Sequence, residues 1–172
     1  MTASHRVYLV LGSNVDSTRN YPAAVRLLEK LGEVAAASPV YETEPVGMPG
    51  AERFLNGAVL LRTDLTPADL KARLRNEIEH ALGRVRTQGD GWAPRTIDVD
   101  IALWDDMVGE IGARHVPDPD ILRHLHVARP LADLAPDLVH PETGRTLAAI
   151  AGDLEAASAA LPVPRPDIIL GS

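Results

Sequence analysis

The spacing of apolar residues changes repeatedly between residues 7 and 104, and this order limits the folds that the chain can adopt. Short apolar runs that stop at turn residues are typical of strands, whereas apolar residues spaced by three or four are typical of helices. Strand patterns cover 7–11, 34–41, 54–62 and 96–104, and helix patterns begin at 16 and 66. The order βαββαβ predicts a ferredoxin-like α+β fold: an antiparallel sheet with both helices on one face.

The pattern is weaker after Trp104. It predicts a hairpin over 107–116 and helices over 120–134 and 147–160. Prolines repeat from Pro162 onwards, which favours an extended segment on the surface. We expect one domain over 1–161, with extra C-terminal hairpin and helices, and an extended tail over 162–172.

Composition excludes several classes of function. The 172 residues suit one compact domain, and the net charge of 17 − 24 = −7 argues against a nucleic-acid or membrane partner. The chain has no cysteine, so no disulfide framework is possible. Because no signal peptide or membrane-length apolar segment is predicted, we expect a cytoplasmic protein. We also expect a monomer or weak dimer, with small-molecule partners.

The segment RTIDVDIALW, 95–104, is the sharpest chemical feature. In a strand its alternating apolar residues face the core: Ile97, Val99, Ile101 and Leu103. Asp98 and Asp100 then share the opposite face, with α-carbons roughly 7 Å apart. A hard cation such as Mg²⁺ would remove their repulsion and leave coordination positions for phosphate oxygens. Alternatively, both aspartates decorate a solvent-exposed face, and the pair alone does not decide between these interpretations.

Basic residues near the aspartate pair favour a polyphosphate ligand. Arg84 and Arg86 follow the second predicted helix, and Arg95 precedes the pair. Guanidinium groups bind phosphate oxygens bidentately and neutralise charge that develops during transfer. Trp92 in the same loop suggests a flap that closes over ligand. The alternative is a mobile basic loop balanced by local acids.

Three further features have weaker implications. Phe54 and Asn56 share a strand face and could stack against and hydrogen-bond a flat heterocycle, although either residue alone is more often structural. The turn at 12–14 lacks the lysine and second glycine of nucleotide-binding loops, so we interpret it as a tight turn. His124 and His126 are two apart in a predicted helix, where they would diverge, which argues against a zinc site.

The motifs LGSN, YETEPVG, FLNGAV, GRVR and WAPRTIDVDIALW occur in this order between about Val7 and Pro141. In these motifs the chain resembles the hydroxymethyldihydropterin pyrophosphokinase family. The resemblance implies the same ferredoxin-like fold. It also implies transfer of diphosphate from ATP to 6-hydroxymethyl-7,8-dihydropterin, with release of AMP, in folate biosynthesis.

The resemblance assigns roles to residues of this chain. Asp98 and Asp100 would hold two Mg²⁺ ions, and Arg84, Arg95 and Trp92 would act in catalysis. The positions that match the ATP site are Asn76, Glu79, Arg86, Ile101, His115 and Asp118. The positions that match the pterin site are Thr43, Pro45, Val46, Phe54, Asn56 and His126.

Departures from the family pattern concentrate in one segment. Asp118 stands where the family usually has a histidine after Val-Pro or Ile-Pro, and its carboxylate would repel a triphosphate. His124 replaces an arginine, with Arg123 adjacent, and His126 replaces an aromatic residue. Two alternatives therefore stay open: a divergent enzyme acting on another pterin-like alcohol, and a non-catalytic ferredoxin-like binding module. The charge and the single phenylalanine disfavour an RNA-binding sheet.

Overall fold

A computed structural model describes residues 4–47, 49–86 and 94–170. Its strands are β1 (His5–Ser13), β2 (Glu33–Ala37), β3 (Tyr41–Thr43), β4 (Phe54–Thr63), β5 (Asp98–Trp104), β6 (Gly109–Ile111), β7 (Arg114–Val116) and β8 (Val163–Pro164). Its α-helices are α1 (Ser17–Leu28), α2 (Pro67–Arg73), α3 (Leu125–Leu134) and α4 (Leu147–Ala157). A π-helix spans Leu74–Glu79 and a 3₁₀ helix spans Pro119–Leu122.

The main sheet has the order β5-β1-β4-β3-β8, and β2 also pairs with β4. All of these pairings are antiparallel. The predicted ferredoxin-like α+β fold is confirmed. The long strand β4 organises the sheet, because β1 lies along one of its edges and both β2 and β3 lie along the other.

The second predicted strand, 34–41, is divided in the structure. Pro39 has no N–H to donate, so it interrupts a ladder of backbone hydrogen bonds. Ser38 bridges the break: its N–H donates to the Ala58 carbonyl, and its Oγ accepts from the Ala58 N–H, both at 2.9 Å. β3 therefore begins at Tyr41 in a new register, and this register places Thr43 beside the site described below.

Both faces of the sheet are covered by helices. Helix α1 and the α2–π-helix segment pack on one face, as predicted, and α3 and α4 pack on the other. The first core includes Leu9, Tyr21, Leu28, Leu61, Leu70 and Ile78. The second core includes Tyr8, Ala58, Leu103, Ile121, Leu131 and Ile150. Each fully buried leucine or isoleucine contributes about 1.5–3 kcal/mol.

The prediction for Leu103 was wrong. Ile97 and Val99 belong to the first core and Ile101 packs against it, but Leu103 belongs to the second core. The reason is a β-bulge in β5, where Leu9 pairs with Ile101 and Tyr8 pairs with Leu103, leaving Ala102 as an extra residue. A bulge reverses the alternation beyond it.

Two predicted helices are also interrupted. The second predicted helix continues beyond Arg73 as the π-helix, and the helix predicted over 120–134 begins only at Leu125, after the separate 3₁₀ helix. The predicted hairpin is present as β6 and β7. Within the described residues, no helix has the length and apolar character needed to cross a bilayer.

The C-terminal segment adds β8 to the sheet beside β3. Arg165 follows β8 and forms an ion pair with Glu42 of β3. Ile168 and Leu170 pack against the first core. The segment therefore reinforces the strand that leads to the site loop after Thr43.

We predict that Gly57→Ala destabilises the protein by roughly 1–3 kcal/mol, the usual cost of overpacking. An added Cβ would lie 2.1 Å from the Tyr21 hydroxyl oxygen and 3.3 Å from Ser38 Oγ, and Tyr21 is fully buried. The matched control is Gly152→Ala in α4, where a Cβ would meet nothing within 4 Å; a gain of up to about 1 kcal/mol is expected there. Chemical denaturation measures both, and equal stability of the two variants would contradict the prediction.

Candidate active site

Two cavities meet at Asp100, which lines both of them. The first, about 310 Å³, is bordered by the start of β5, the start of β4, the loop after β3 and the segment before α3. The second, about 230 Å³, lies between the α2–π-helix segment, β5 and the β6–β7 hairpin. The arrangement suits two ligands, or two parts of one ligand, that approach each other beside this carboxylate.

The turn after β1 fixes Arg95. The Asn14 side chain accepts a hydrogen bond from the Arg95 N–H at 2.6 Å, and the Asn14 N–H donates to the Arg95 carbonyl at 2.9 Å. Ser13 Oγ donates to the Thr96 carbonyl at 2.5 Å. These residues thus act through the backbone of the segment that leads into β5, which agrees with the tight-turn interpretation.

Asp98 lies among three arginines. Its Oδ2 accepts from Arg95 Nη1 at 2.6 Å, and its Oδ1 lies 3.5 Å from Arg86 Nη2 and 3.9 Å from Arg84 Nη1. The Arg84 side chain is only 6% exposed, and its Nε has no hydrogen-bond partner among the described residues. A buried guanidinium with an unpartnered N–H is well suited to an anionic ligand.

Glu79 connects the π-helix to β5. Its Oε1 accepts from the Val99 N–H at 3.0 Å and its Oε2 accepts from Arg86 at 2.6 Å. Burial raises the pKa of this carboxyl, while its hydrogen bonds to Arg86 and Val99 oppose the shift. The wider π turn leaves the neighbours Ile78 and Glu79 both buried, so Glu79 holds Arg86 at the rim of the second cavity.

The surroundings of Asp100 strongly disfavour its ionised form. Burial and then the nearby charge of Asp98 raise its pKa to about 7, and Asp118 and Glu79 add to the rise. Arg114 opposes the shift from 3.6 Å away. The cause is desolvation together with like-charge repulsion, which is the environment that a bound cation would relieve.

A polar pair and an aromatic ring line the first cavity on the β4 side. Asn56 Nδ2 donates to Thr43 Oγ1 at 2.5 Å, and Phe54 precedes Asn56 on the same strand face. Gly12 allows the close approach of strands here, since a Cβ on it would lie 3.2 Å from Asn56 Oδ1. Pro45 and Val46 complete this wall. All the residues predicted to bind pterin therefore line one cavity.

The prediction that His124 and His126 diverge was wrong. Their rings stack, with centroids 5.2 Å apart and planes at 26°. His124 has an extended backbone just before α3 and is outside the helix, so helical geometry does not separate the two side chains. Burial and then His124 lower the pKa of His126 to about 4. His126 is thus neutral at ordinary pH and presents an uncharged flat ring to the first cavity.

Other predicted ATP residues are placed less uniformly. Ile101 lines the second cavity with Glu79 and Arg86, and Asp118 lines the first. Asn76 is exposed on the π-helix and lines neither cavity. His115 hydrogen-bonds Glu110 and Glu142 and also lines neither. The prediction for Trp92 lies outside the described residues.

Cations missed by the sequence interpretation line the second cavity. They are Lys71, Arg75 and Arg114. Lys71 Nζ donates to the Ile111 carbonyl at 2.7 Å, which fastens the hairpin to α2. Arg114 lies 3.4 Å from Asp118 and 3.6 Å from Asp100. Helical spacing could have grouped Lys71 with Arg75, but only the tertiary fold brings Arg114 to Asp100.

The fold and site together define a class of protein: an antiparallel α+β domain with carboxylates and arginines where two cavities meet. Comparison with known proteins narrows the class. A family model for 7,8-dihydro-6-hydroxymethylpterin-pyrophosphokinase (HPPK) matches residues 8–136. The chain belongs to this family.

Relatives with the same family name are similar over most of their length. The 2-amino-4-hydroxy-6-hydroxymethyldihydropteridine pyrophosphokinase of Pseudomonas aeruginosa is 41% identical over 145 residues, which cover 83% of this chain and 87% of the relative. The enzyme of that name from Bacillus subtilis is 39% identical over 130 residues, covering 74% of this chain and 76% of the relative.

A solved structure supports the fold. The crystal structure of wild-type Plasmodium falciparum HPPK-DHPS superposes with a TM-score of 0.69 at 13% identity. The match covers 91% of this chain but only 46% of that longer chain. At this identity the likeness concerns the fold alone.

We predict that Asp100→Asn stabilises the protein in metal-free buffer at neutral and alkaline pH. A carboxyl whose pKa is raised on folding holds its proton more tightly in the folded state, so its ionisation weakens stability as pH rises from about 4 to about 7. Asparagine removes this cost. Thermal unfolding at pH 4 and pH 8 should show a gain that is larger at pH 8.

Asp106→Asn, at an exposed acid in the turn after β5, serves as the matched control. No pH-dependent gain is expected from it. An Asp100→Asn protein that is less stable than the unaltered protein at pH 8 would contradict the assignment of strain to this carboxyl.

Proposed function

We propose that this protein transfers diphosphate from ATP to the hydroxymethyl group of 6-hydroxymethyl-7,8-dihydropterin, a step of folate biosynthesis. Membership of the pyrophosphokinase family supports the reaction. The observation that carries the assignment of the site is the sharing of Asp100 by two cavities, one lined by cations and apolar side chains and the other by flat rings and an amide.

Mg²⁺ is the metal that we propose for Asp98 and Asp100. Carboxylate oxygens are ligands that Mg²⁺ prefers, and it commonly takes only one or two of them together with substrate phosphates. The raised pKa of Asp100 indicates a carboxylate pair short of positive charge, and this fits a cation. When bound, the metal would neutralise charge on the phosphates and orient them for transfer.

The second cavity suits the nucleoside end of ATP. Leu74, Val99 and Ile101 provide apolar surface, and Arg75 and Arg86 lie at its border. Glu79 is held by Arg86 and by the β5 backbone, so it orders this wall. We infer that the triphosphate runs from here towards Asp100 and reaches the first cavity.

The first cavity suits the pterin. Phe54 and His126 offer flat faces, and Asn56 offers a carboxamide whose orientation Thr43 fixes. The hydroxymethyl oxygen would form a bond to the β-phosphorus as the bond to the bridging oxygen of AMP breaks and the hydroxyl proton leaves. Arg84 and Arg95 stand beside Asp98, where their charge would stabilise the phosphoryl oxygens.

We also propose that residues 1–161 form the catalytic domain, with 162–172 as its tail, and that the protein acts in the cytoplasm as a monomer or weak dimer. The pairing of β8 with β3 supports a tail that stays attached to the domain. Size-exclusion chromatography with light scattering measures the oligomeric state, and a stable dimer would contradict this part of the proposal.

We predict that AMP forms only when ATP, 6-hydroxymethyl-7,8-dihydropterin and Mg²⁺ are all present. Asp98→Ala should lower the turnover by at least about a hundredfold, because several kcal/mol of charge stabilisation is lost with the metal. Asp106→Ala is the matched control and should retain activity. A coupled assay for AMP measures both. Unchanged turnover in Asp98→Ala would refute the metal site, and absence of AMP in the unaltered protein would refute the reaction.

We predict that His126→Ala weakens pterin affinity by roughly 2- to 12-fold, the range expected for one lost ring contact. His126→Phe should restore or tighten binding, because phenylalanine presents more apolar surface to the heterocycle. His80→Ala, at an exposed histidine beyond the π-helix, is the control. Calorimetry with the pterin in the presence of a nucleotide analogue measures the pterin affinity of each variant. Equal affinity in all three variants would exclude stacking by His126.

A further inference from the structure

Arg114 stands where the two cavities meet, on strand β7, at the far end of a short hairpin. It lines the second cavity, while its Nη2 reaches Asp100 and Asp118, which line the first. Lys71 fastens the same end of this hairpin to α2 through the carbonyl of Ile111, the residue that pairs with Arg114 across the two strands. Arg114 is therefore carried by an anchored element and lies beside Asp100, the carboxylate that both cavities share.

Asp118 is built into the fold as a partner for Arg114. The Asp118 N–H donates to the Ala102 carbonyl of β5 at 2.9 Å, and its Oδ1 accepts from the Asp120 N–H at 2.9 Å. Its side chain is only 5% exposed. The remaining oxygen, Oδ2, lies 3.4 Å from Arg114 Nη2. A carboxylate fixed in this way constrains the orientation of the guanidinium.

The rest of the Arg114 side chain remains open to a ligand. The Arg114 side chain as a whole is 56% exposed, and neither its Nε nor its Nη1 donates a hydrogen bond to a residue that the structure describes. A structural counter-ion would not need donors that face a cavity. A guanidinium held at one nitrogen and open at the others can bind a phosphate oxygen without losing its contact with Asp118.

We propose that Arg114 is a nucleotide-positioning residue that binds a phosphate group at the junction of the two cavities. Asp118 acts through Arg114, by orienting it, and does not contact the nucleotide. The inference rests on the proposed function, because it requires ATP in the second cavity. It also explains how a carboxylate is tolerated near the triphosphate: its charge is directed to Arg114.

The experiment compares Arg114→Ala, Asp118→Asn and the double variant in calorimetry with Mg²⁺ and α,β-methylene ATP, whose scissile linkage cannot be cleaved. Arg114→Ala should weaken binding by at least about tenfold, the loss expected for one charge-assisted hydrogen bond. Asp118→Asn, which keeps the guanidinium, should weaken it less. Arg145→Ala, at an exposed ion pair with Asp153, is the matched control and should bind normally.

The double variant separates positioning from simple charge compensation. If Arg114 only neutralised Asp118, removing both charges would restore the affinity of the unaltered protein. If Arg114 binds phosphate, thermal stability should recover in the double variant while nucleotide affinity stays at least about tenfold weaker. Affinity within about twofold of the unaltered protein would overturn the role of Arg114 alone. Absence of nucleotide binding by the unaltered protein would overturn the proposed function as well.

Discussion

Repulsion among carboxylates at the start of β5 is the interaction on which the rest of the site depends. Burial and then the charges of Asp98, Asp118 and Glu79 raise the pKa of Asp100. Arginines from three different parts of the chain form ion pairs with Asp98 or Asp100. Arg84 and Arg86 follow the π-helix, Arg95 precedes β5, and Arg114 lies on the hairpin. Each of these arginines forms an ion pair with a carboxylate. Arg86, Arg95 and Arg114 also line a cavity, and the Nε of Arg84 has no hydrogen-bond partner among the described residues. The ion pairs that stabilise the ligand-free protein therefore also arrange its positive charge for phosphate.

The sheet supplies the precision that this arrangement needs. Asn14 and Ser13, at the end of β1, hold the backbone of Arg95 and Thr96, so the acidic strand starts in a fixed register. On the other side of β1, the glycine at position 12 lets β4 approach closely enough to place Asn56 in the same cavity. The two halves of the site are thus positioned by one strand, β1, which pairs with both β4 and β5.

The sequence predicted the features that depend on local periodicity. Alternation around Asp98 and Asp100 correctly indicated a shared face, and helical spacing correctly indicated that a helix, α1, follows β1. The errors arose where a partner element changes the local rule. Leu103 changes face because of a bulge against β1, and His124 stacks on His126 because α3 begins only at Leu125 and leaves His124 outside the helix. Neither event leaves a mark in the spacing of apolar residues.

Arg114, which the sequence interpretation missed, shows the same limit. Arg114 and Asp118 are only four residues apart, yet their meaning depends on β5, which provides both the backbone anchor for Asp118 and the carboxylate of Asp100. From the sequence alone, Asp118 is expected to repel phosphate. In the folded protein its carboxylate is paired with the guanidinium of Arg114. The net effect of a charged residue on a ligand is therefore set by the partner that orients it as much as by its own sign. Burial raises the pKa of Asp118, so the ionised carboxylate beside Arg114 lowers the folding stability, a compromise that is common where a fold must also bind a ligand.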